Sequence, residues 1–213
     1  MTFSSETKVN EIALSDPGAR HILEDAGIEQ VLAASDMVAG YRLYLRHRPD
    51  VAIVDLAIAG KGLGGLELIR RIRAHDTDAH ILVLSMHNDP VIVARSLEAG
   101  ASGYVLKDTS SEELVKAVQQ VSTGMPFLSG DLAMKVALTG TSARTNPLAD
   151  LTPRELQVLA LLAEGKPYDT IARELSVSYK TVVNVSSQLK HKLRASTLAQ
   201  LVSTAVKLLA APA

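Results

Sequence analysis

Three short apolar runs, separated by segments with helical periodicity, limit the folds open to this chain more than any other feature of its sequence. Residues 51–55, 81–85 and 103–107 each consist of consecutive apolar residues followed by one polar residue, as expected for strands buried on both faces. The segments between them place apolar residues three and four positions apart among charged ones, which is typical of amphipathic helices. A weaker run at residues 30–34 and a helical pattern at residues 37–46 precede them. Together with one further strand near the N-terminus, they predict a doubly wound α/β domain with a parallel five-stranded sheet.

The first strand of this sheet has two possible registers. In one, residues 4–9 form the strand, and Asn10 and Glu11 follow directly after it. This register puts Pro17 and Gly18 inside a helix, where both are unfavourable. The other places it at residues 11–15, with Asp16 capping a helix that begins at Pro17. We favour the second register because it explains more of the local residues.

The last third of the chain has a different pattern. Small and polar residues at 139–150 predict a linker, and four helical segments follow at residues 153–164, 169–176, 179–193 and 197–209. Thr152, Pro153 and Glu155 have the spacing of a helix cap with a capping box. We therefore predict three parts. Their bounds are residues 1–126 for the α/β domain, 127–150 for a linker helix and flexible linker, and 151–213 for an all-α helix-turn-helix domain of four helices.

Charge is distributed unevenly between these parts. Residues 151–213 carry eight Lys or Arg and four acids, whereas the net charge of the whole chain is -1. This asymmetry indicates that the C-terminal part meets a polyanion. The chain has no cysteine, no apolar run long enough to span a bilayer and no signal-peptide pattern at its start, so we expect a cytoplasmic protein without membrane contact. It also lacks the motifs of a metabolic enzyme, and we do not expect one.

Polar side chains close the three apolar runs at Asp55, Ser85 and Lys107. In an open parallel sheet the carboxyl ends of the strands form the ligand-binding edge, so these groups should converge there. A carboxylate, a hydroxyl and an ammonium at one edge suit transient phosphoryl transfer. The carboxylate is then the nucleophile, and the other two groups neutralise the phosphoryl oxygens.

Three stretches of this region resemble the receiver domain of bacterial response regulators, which has a flavodoxin-like fold: residues 49–56, 65–69 and 99–108. The resemblance implies that Asp55 is the phosphoacceptor, Ser85 the switch hydroxyl, Tyr104 the aromatic switch and Lys107 the lysine that pairs with the phosphate. It also implies a sensor histidine kinase as a partner.

The resemblance is incomplete at the acidic pocket. Receivers end their first strand with two adjacent acids that hold Mg²⁺, a cation that takes oxygen ligands, and this chain has no such pair. Asp16 and Asp55 are the best candidate metal ligands, and Glu11 is the alternative to Asp16. Mg²⁺ binding should therefore be weakened. Two hypotheses follow: a phosphorylated receiver that controls dimerisation, or a pseudo-receiver triggered by a protein partner or small ligand.

The C-terminal part resembles the LuxR-type effector domain of NarL/FixJ-family regulators. The matching motifs are residues 151–155, 163–165, 171–172, 180–182 and 192–193, whereas Pro167, Tyr168, Thr170 and Val185 depart from the pattern. The resemblance implies a transcription regulator that binds double-stranded DNA as a homodimer. A protein-interaction module that no longer binds DNA is the alternative that these departures allow.

The third helix of this domain carries the candidate DNA contacts. Three residues are predicted to face bases: Val183, Asn184 and Ser187. Five others are predicted to contact phosphates: Lys180, Thr181, Gln188, Lys190 and Lys192.

Overall fold

The computed structural model describes the backbone of residues 11–14, 19–58, 62–142 and 146–209, and the side chains of these except 11–14 and 139–142. Its sheet has the strand order β2-β1-β3-β4-β5-β6, and every neighbouring pair is parallel. The strands are β1 (Glu11–Leu14), β2 (Gln30–Ala33), β3 (Val51–Asp55), β4 (Ile81–Ser85), β5 (Gly103–Leu106) and β6 (Phe127–Leu128).

The predicted doubly wound parallel sheet is confirmed, with one addition. The sheet contains a sixth strand, Phe127–Leu128, at the start of the segment predicted as a linker helix. A strand of two residues is too short to show the alternation by which strands are recognised in a sequence. The first strand lies at Glu11–Leu14, as in the register that we favoured.

Helices cover both faces of the sheet. Alternate residues of a strand point to opposite sides, and here both sides are apolar and need to be buried. Ala52 and Val54 join one apolar cluster, whereas Val51 and Ile53 join another on the opposite face. Asp36 and Asp89 begin two of the covering helices by accepting hydrogen bonds from the backbone. The helices of this domain are α1 (Arg20–Asp25), α2 (Met37–His47), α3 (Gly65–His75), α4 (Pro90–Glu98) and α5 (Ser111–Ser122).

After the linking helix α6 (Gly130–Ser142), the predicted four-helix domain is confirmed. Its helices are α7 (Pro153–Ala163), α8 (Tyr168–Glu174), α9 (Tyr179–Lys192) and α10 (Leu198–Leu209). Thr152 and Glu155 form the predicted capping box at the start of α7. None of the helices in the described ranges is long and apolar enough to cross a membrane.

Tyr168, one of the departures from the LuxR-type pattern, holds two helices of this domain together. Its hydroxyl hydrogen-bonds the buried hydroxyl of Ser186, and its ring meets that of Tyr179 edge-on, with centroids 6.0 Å apart. The contact therefore links the start of α8 to α9.

Gly65, the first residue of α3, packs so closely on the end of β3 that a side chain does not fit at this position. A Cβ atom at this position would overlap the carbonyl oxygen of Asp55 and lie 2.7 Å from the Cα of Leu56. Because both obstacles are backbone atoms, they can yield only if the strand and the helix separate.

We predict that Gly65→Ala lowers the free energy of unfolding by about 2 kcal/mol or more, the usual effect of overpacking a core. Urea unfolding followed by circular dichroism measures the change. Gly130→Ala is the matched control, since a Cβ there meets nothing within 4 Å. Equal stability of the two variants would show that α3 does not pack this closely on β3.

Candidate functional site

The carboxyl edge of the sheet brings Asp55 and Lys107 into contact. The Lys107 ammonium donates a hydrogen bond of 2.8 Å to Asp55 Oδ2, and the backbone N–H of Ala57 donates one of 3.0 Å to Oδ1. The Asp55 side chain is 13% exposed and that of Lys107 is 24% exposed. The pair is thus largely buried at the sheet edge, with a small part of each side chain exposed.

Ser85 and Tyr104 lie on the next two strands and meet at one backbone segment. Ser85 is buried, and its Oγ accepts a hydrogen bond of 3.2 Å from the backbone N–H of His87. The buried Tyr104 donates a hydrogen bond of 2.7 Å from its hydroxyl to the carbonyl oxygen of His87. Burial raises the pKa of the Tyr104 phenol, so it stays a protonated donor. The two predicted switch residues therefore hold the same peptide segment.

The predicted metal ligands are only partly placed. Asp55 is at the sheet edge, and Asp16 lies outside the described residues. Glu11 lies at the opposite end of the sheet, because Ile12 pairs with Val51, the first residue of the strand that Asp55 closes. Val51 and Asp55 are four positions apart along the strand, which corresponds to about 13 Å. This separation rules out Glu11 as a co-ligand of Asp55 and corrects that prediction.

No group of three acidic or histidine side chains in the described part of the chain is placed to hold a metal ion. The ammonium of Lys107 places a positive charge next to the Asp55 carboxylate.

The loop that follows Asp55 touches the helical domain. The backbone N–H of Gly62 donates a hydrogen bond of 3.2 Å to Glu164 Oε1. A Cβ on Gly62 would lie 3.1 Å from Ala160 and 3.2 Å from Leu161, so the loop packs directly on α7. One apolar cluster accordingly continues from the sheet into the helical domain.

A second set of contacts joins α4 and the loop before it to the helical domain. The Arg95 guanidinium reaches the carbonyl oxygens of Ala149 and Leu151 at 3.5 and 3.4 Å. At the start of α4, the amide of Asn146 donates a hydrogen bond of 3.1 Å to Asp89 Oδ2. Both contacts fix the chain just before α7.

His87 belongs to the same junction. Burial lowers the pKa of its imidazole, while a hydrogen bond to the backbone of Leu209 and the charges of Asp55, Asp89 and Glu164 act to raise it. The segment held by Ser85 and Tyr104 therefore also meets the end of α10.

Helix α9 presents its predicted base-facing residues to solvent. Val182, Val185 and Leu189 are buried in the helical domain, whereas Val183, Asn184 and Ser187 are exposed. Of the predicted phosphate contacts, Lys180 and Gln188 are exposed, and Thr181 and Lys190 are half-buried. The domain contacts described above use α7, the chain before it and the end of α10, so they leave the outer face of α9 open.

Lys192 has a structural contact that its sequence position did not suggest. Its ammonium donates a hydrogen bond of 2.7 Å to Glu155 Oε2, whose side chain is only 5% exposed, and another of 2.9 Å to the carbonyl oxygen of Asp150. It therefore ties the end of α9 to the capping box of α7, and its predicted phosphate contact stays a prediction.

Several contact residues at the domain junction were not found from the sequence. Asn146 and His87 carry no motif, and the motif that contains Glu164 gave no sign of a contact with the receiver domain. The contact of each depends on a residue from 57 to 122 positions away. The only local signal was the polar composition of residues 139–150, which predicted a linker but not its partner.

Comparison with known proteins identifies the family. Residues 10–119 match the model of the response regulator receiver domain, and residues 149–205 match that of bacterial regulatory proteins of the luxR family. The methanol utilization control regulatory protein MoxX of Paracoccus denitrificans is 38% identical over 84% of this chain and 80% of its own length. The response regulator UvrY of Escherichia coli K12 is 31% identical over 87% of this chain and 85% of its own.

Solved structures agree over nearly the whole chain. RcsB of Salmonella enterica serovar Typhimurium, bound to the promoter rprA with the phosphomimetic beryllofluoride, matches with a TM-score of 0.70 and 25% identity, covering 94% of this chain and 99% of that one. Another Salmonella RcsB structure gives a TM-score of 0.72 at 26% identity, with 95% and 98% coverage. The chain belongs to the family of response regulators that join a receiver domain to a LuxR-type helix-turn-helix domain.

Glu155 gives the helical domain a pH dependence that can be tested. Burial acts to raise its pKa, but the hydrogen bonds from Lys192 and from Thr152 outweigh burial and hold the pKa below its usual value. A carboxyl group with a lowered pKa adds stability above its unfolded pKa, and this stability is lost as the pH falls through the folded pKa.

We predict that Lys192→Met lowers the free energy of unfolding at pH 7 by about 1 to 3 kcal/mol, because it leaves a buried carboxylate without its charged donor. The difference in stability between this variant and the wild type should shrink as the pH falls below the pKa of an ordinary glutamate side chain. Urea unfolding at pH 7 and pH 4 measures both. Lys180→Met, at an exposed position of the same helix, serves as the control. A loss that is the same at both pH values would argue against the ion pair as its cause.

Proposed function

We propose that this chain is a transcription regulator that binds double-stranded DNA through α9 and receives a phosphoryl group on Asp55. The observation that carries the proposal is the Asp55–Lys107 pair at the carboxyl edge of the sheet, in a chain whose α9 exposes a polar face. The RcsB relative with a similar fold is bound to promoter DNA in the presence of a phosphomimetic.

The residues support one phosphoryl transfer. A carboxylate oxygen of Asp55 attacks the phosphorus of a phosphohistidine on a sensor kinase. The new P–O bond forms as the P–N bond breaks, and the bond's electron pair leaves with the imidazole. The Lys107 ammonium, already 2.8 Å from the carboxylate, neutralises the added negative charge. The Ser85 hydroxyl lies on the neighbouring strand and can turn to a phosphoryl oxygen, releasing its hold on the His87 segment.

Mg²⁺ belongs to this proposal as a weakly held cofactor. Asp55 and Asp16 are the proposed ligands, and the missing adjacent acid leaves the ion with fewer carboxylate oxygens than receivers usually supply.

In the proposed DNA complex, the exposed face of α9 enters the major groove. Asn184 can pair with adenine through two hydrogen bonds, Ser187 can accept or donate to several bases, and Val183 can contact a thymine methyl. Lys180, Thr181, Gln188, Lys190 and Lys192 form the proposed phosphate contacts. We further propose a cytoplasmic homodimer that acts as a regulator and not as a metabolic enzyme.

The missing acid pair supports a second candidate function. In it the receiver domain is not phosphorylated, and a protein partner or a small ligand triggers the same DNA-binding domain. Ordinary affinity for Mg²⁺ would remove the reason for this alternative.

We predict that beryllofluoride with Mg²⁺ raises the mass measured by light scattering from monomer to dimer for the wild type but not for Asp55→Ala. The phosphomimetic needs the carboxylate as its attachment point. Asp78→Ala, which removes an exposed carboxylate elsewhere in the same domain, should respond as the wild type does. Identical behaviour of wild type and Asp55→Ala would favour the unphosphorylated alternative.

We also predict that Asn184→Ala loses a preference for adenine at one position when the full chain selects sites from a random duplex library. The lost discrimination between adenine and the other bases should be about 1 to 3 kcal/mol. Lys180→Ala should instead weaken binding to all sequences. It should also make the slope of log affinity against log salt concentration shallower by about one, as expected for the loss of one phosphate contact. Lys116→Ala on α5 is the control and should change neither. An unchanged site preference in Asn184→Ala would remove this residue from the base contacts.

A further inference from the structure

A cavity of about 330 Å³ lies between the receiver domain and the helical domain. Its walls come from the start of α2, the loop after β3 and α3 on one side, and from α7 and the turn between α8 and α9 on the other. This volume is at the lower end of the range for small-molecule sites, which often form between domains. Neither the phosphoryl transfer nor the DNA contact uses it.

Part of the cavity wall is apolar. Ile58 is buried, and Met37 and Leu175 are half-buried. Met37 and Ile58 belong to the receiver domain, whereas Leu175 belongs to the helical domain. An apolar group in the cavity would therefore touch both domains at once.

Arg154 places a cationic group in the wall of the cavity. Its guanidinium donates hydrogen bonds to Gln157 Oε1 at 3.2 Å and to the carbonyl oxygen of Leu175 at 3.1 Å, both of which are neutral acceptors. No carboxylate of the described residues forms an ion pair with it, and a guanidinium has five N–H donors. Arg154 is half-buried, so an incoming carboxylate would meet a partly dehydrated cation with donors to spare.

The other charges of the cavity are already balanced. Glu174 is bound to Lys166 with an N–O distance of 2.8 Å, and Glu67 is bound to Arg71 at 3.3 Å. The charge of Glu67 still acts on Arg154, whose pKa is lowered by burial and raised by that charge. Glu67 therefore opposes the entry of an anion. Removing its charge should tighten the binding of an anion, whereas removing the charge of Arg154 should weaken it.

We propose that this cavity binds a small carboxylic acid with an apolar body, its carboxylate on Arg154 and its body against Ile58, Met37 and Leu175. Because the ligand touches both domains, binding stabilises their docked arrangement. The site gives the regulator a chemical input that is separate from Asp55.

The test titrates the full chain with octanoate and with 4-phenylbutyrate by calorimetry, and repeats each titration with the corresponding alcohol. We expect saturable binding of at least one acid, an apparent melting temperature that rises with its concentration, and much weaker binding of the alcohol. Arg154→Gln should weaken binding at least about ten-fold, the usual effect of losing a charged hydrogen-bond donor. Arg173→Gln makes the same change at an exposed position of α8 and should bind as the wild type does.

Glu67→Gln keeps the proposal testable if Arg154→Gln does not fold, since removing the opposing charge should tighten binding. No saturable binding of either acid, equal binding of acid and alcohol, or weaker binding by Glu67→Gln would each overturn the proposal. Asp55→Ala should bind both acids as the wild type does, so failure of the phosphorylation proposal would not remove this one.

Discussion

The ion pair between Lys107 and Asp55 joins the carboxyl ends of β5 and β3 at the edge of the sheet that faces the domain junction. Parallel strands place their carboxyl ends at one edge, so the carboxylate and ammonium must meet there and must stabilise each other. The loops that leave this edge after β3 and β4 are the same loops that touch the helical domain, through Gly62 and His87. A change in charge at Asp55 is thus made beside the contacts that hold the two domains together.

The docking of the domains uses surfaces other than the proposed DNA contact. Gly62 packs on α7, and Arg95 and Asp89 hold the chain before it, while Asn184 on α9 stays exposed. The receiver domain therefore does not cover the predicted base-facing residues in this arrangement.

The sequence predicted the elements of this structure better than the contacts between them. The buried runs at 51–55 and 81–85 and the capping box at Thr152 have local patterns, and each lies where it was expected. The strand at Phe127–Leu128 was too short to have a pattern. Glu11 was misjudged as a ligand because distance from Asp55 depends on strand pairing, which composition does not encode. The structural contact of Lys192 with Glu155 was likewise invisible, since an exposed-looking lysine on a DNA-binding helix can equally close a capping box.

Hydrogen exchange on the full chain, with and without a random-sequence duplex at low salt, tests most directly whether the docked arrangement leaves α9 free for DNA. We predict that DNA slows exchange in residues 180–188 while residues 157–162, which pack against the receiver domain, keep their protection. Faster exchange in residues 157–162 on DNA binding, or no protection in residues 180–188, would contradict it.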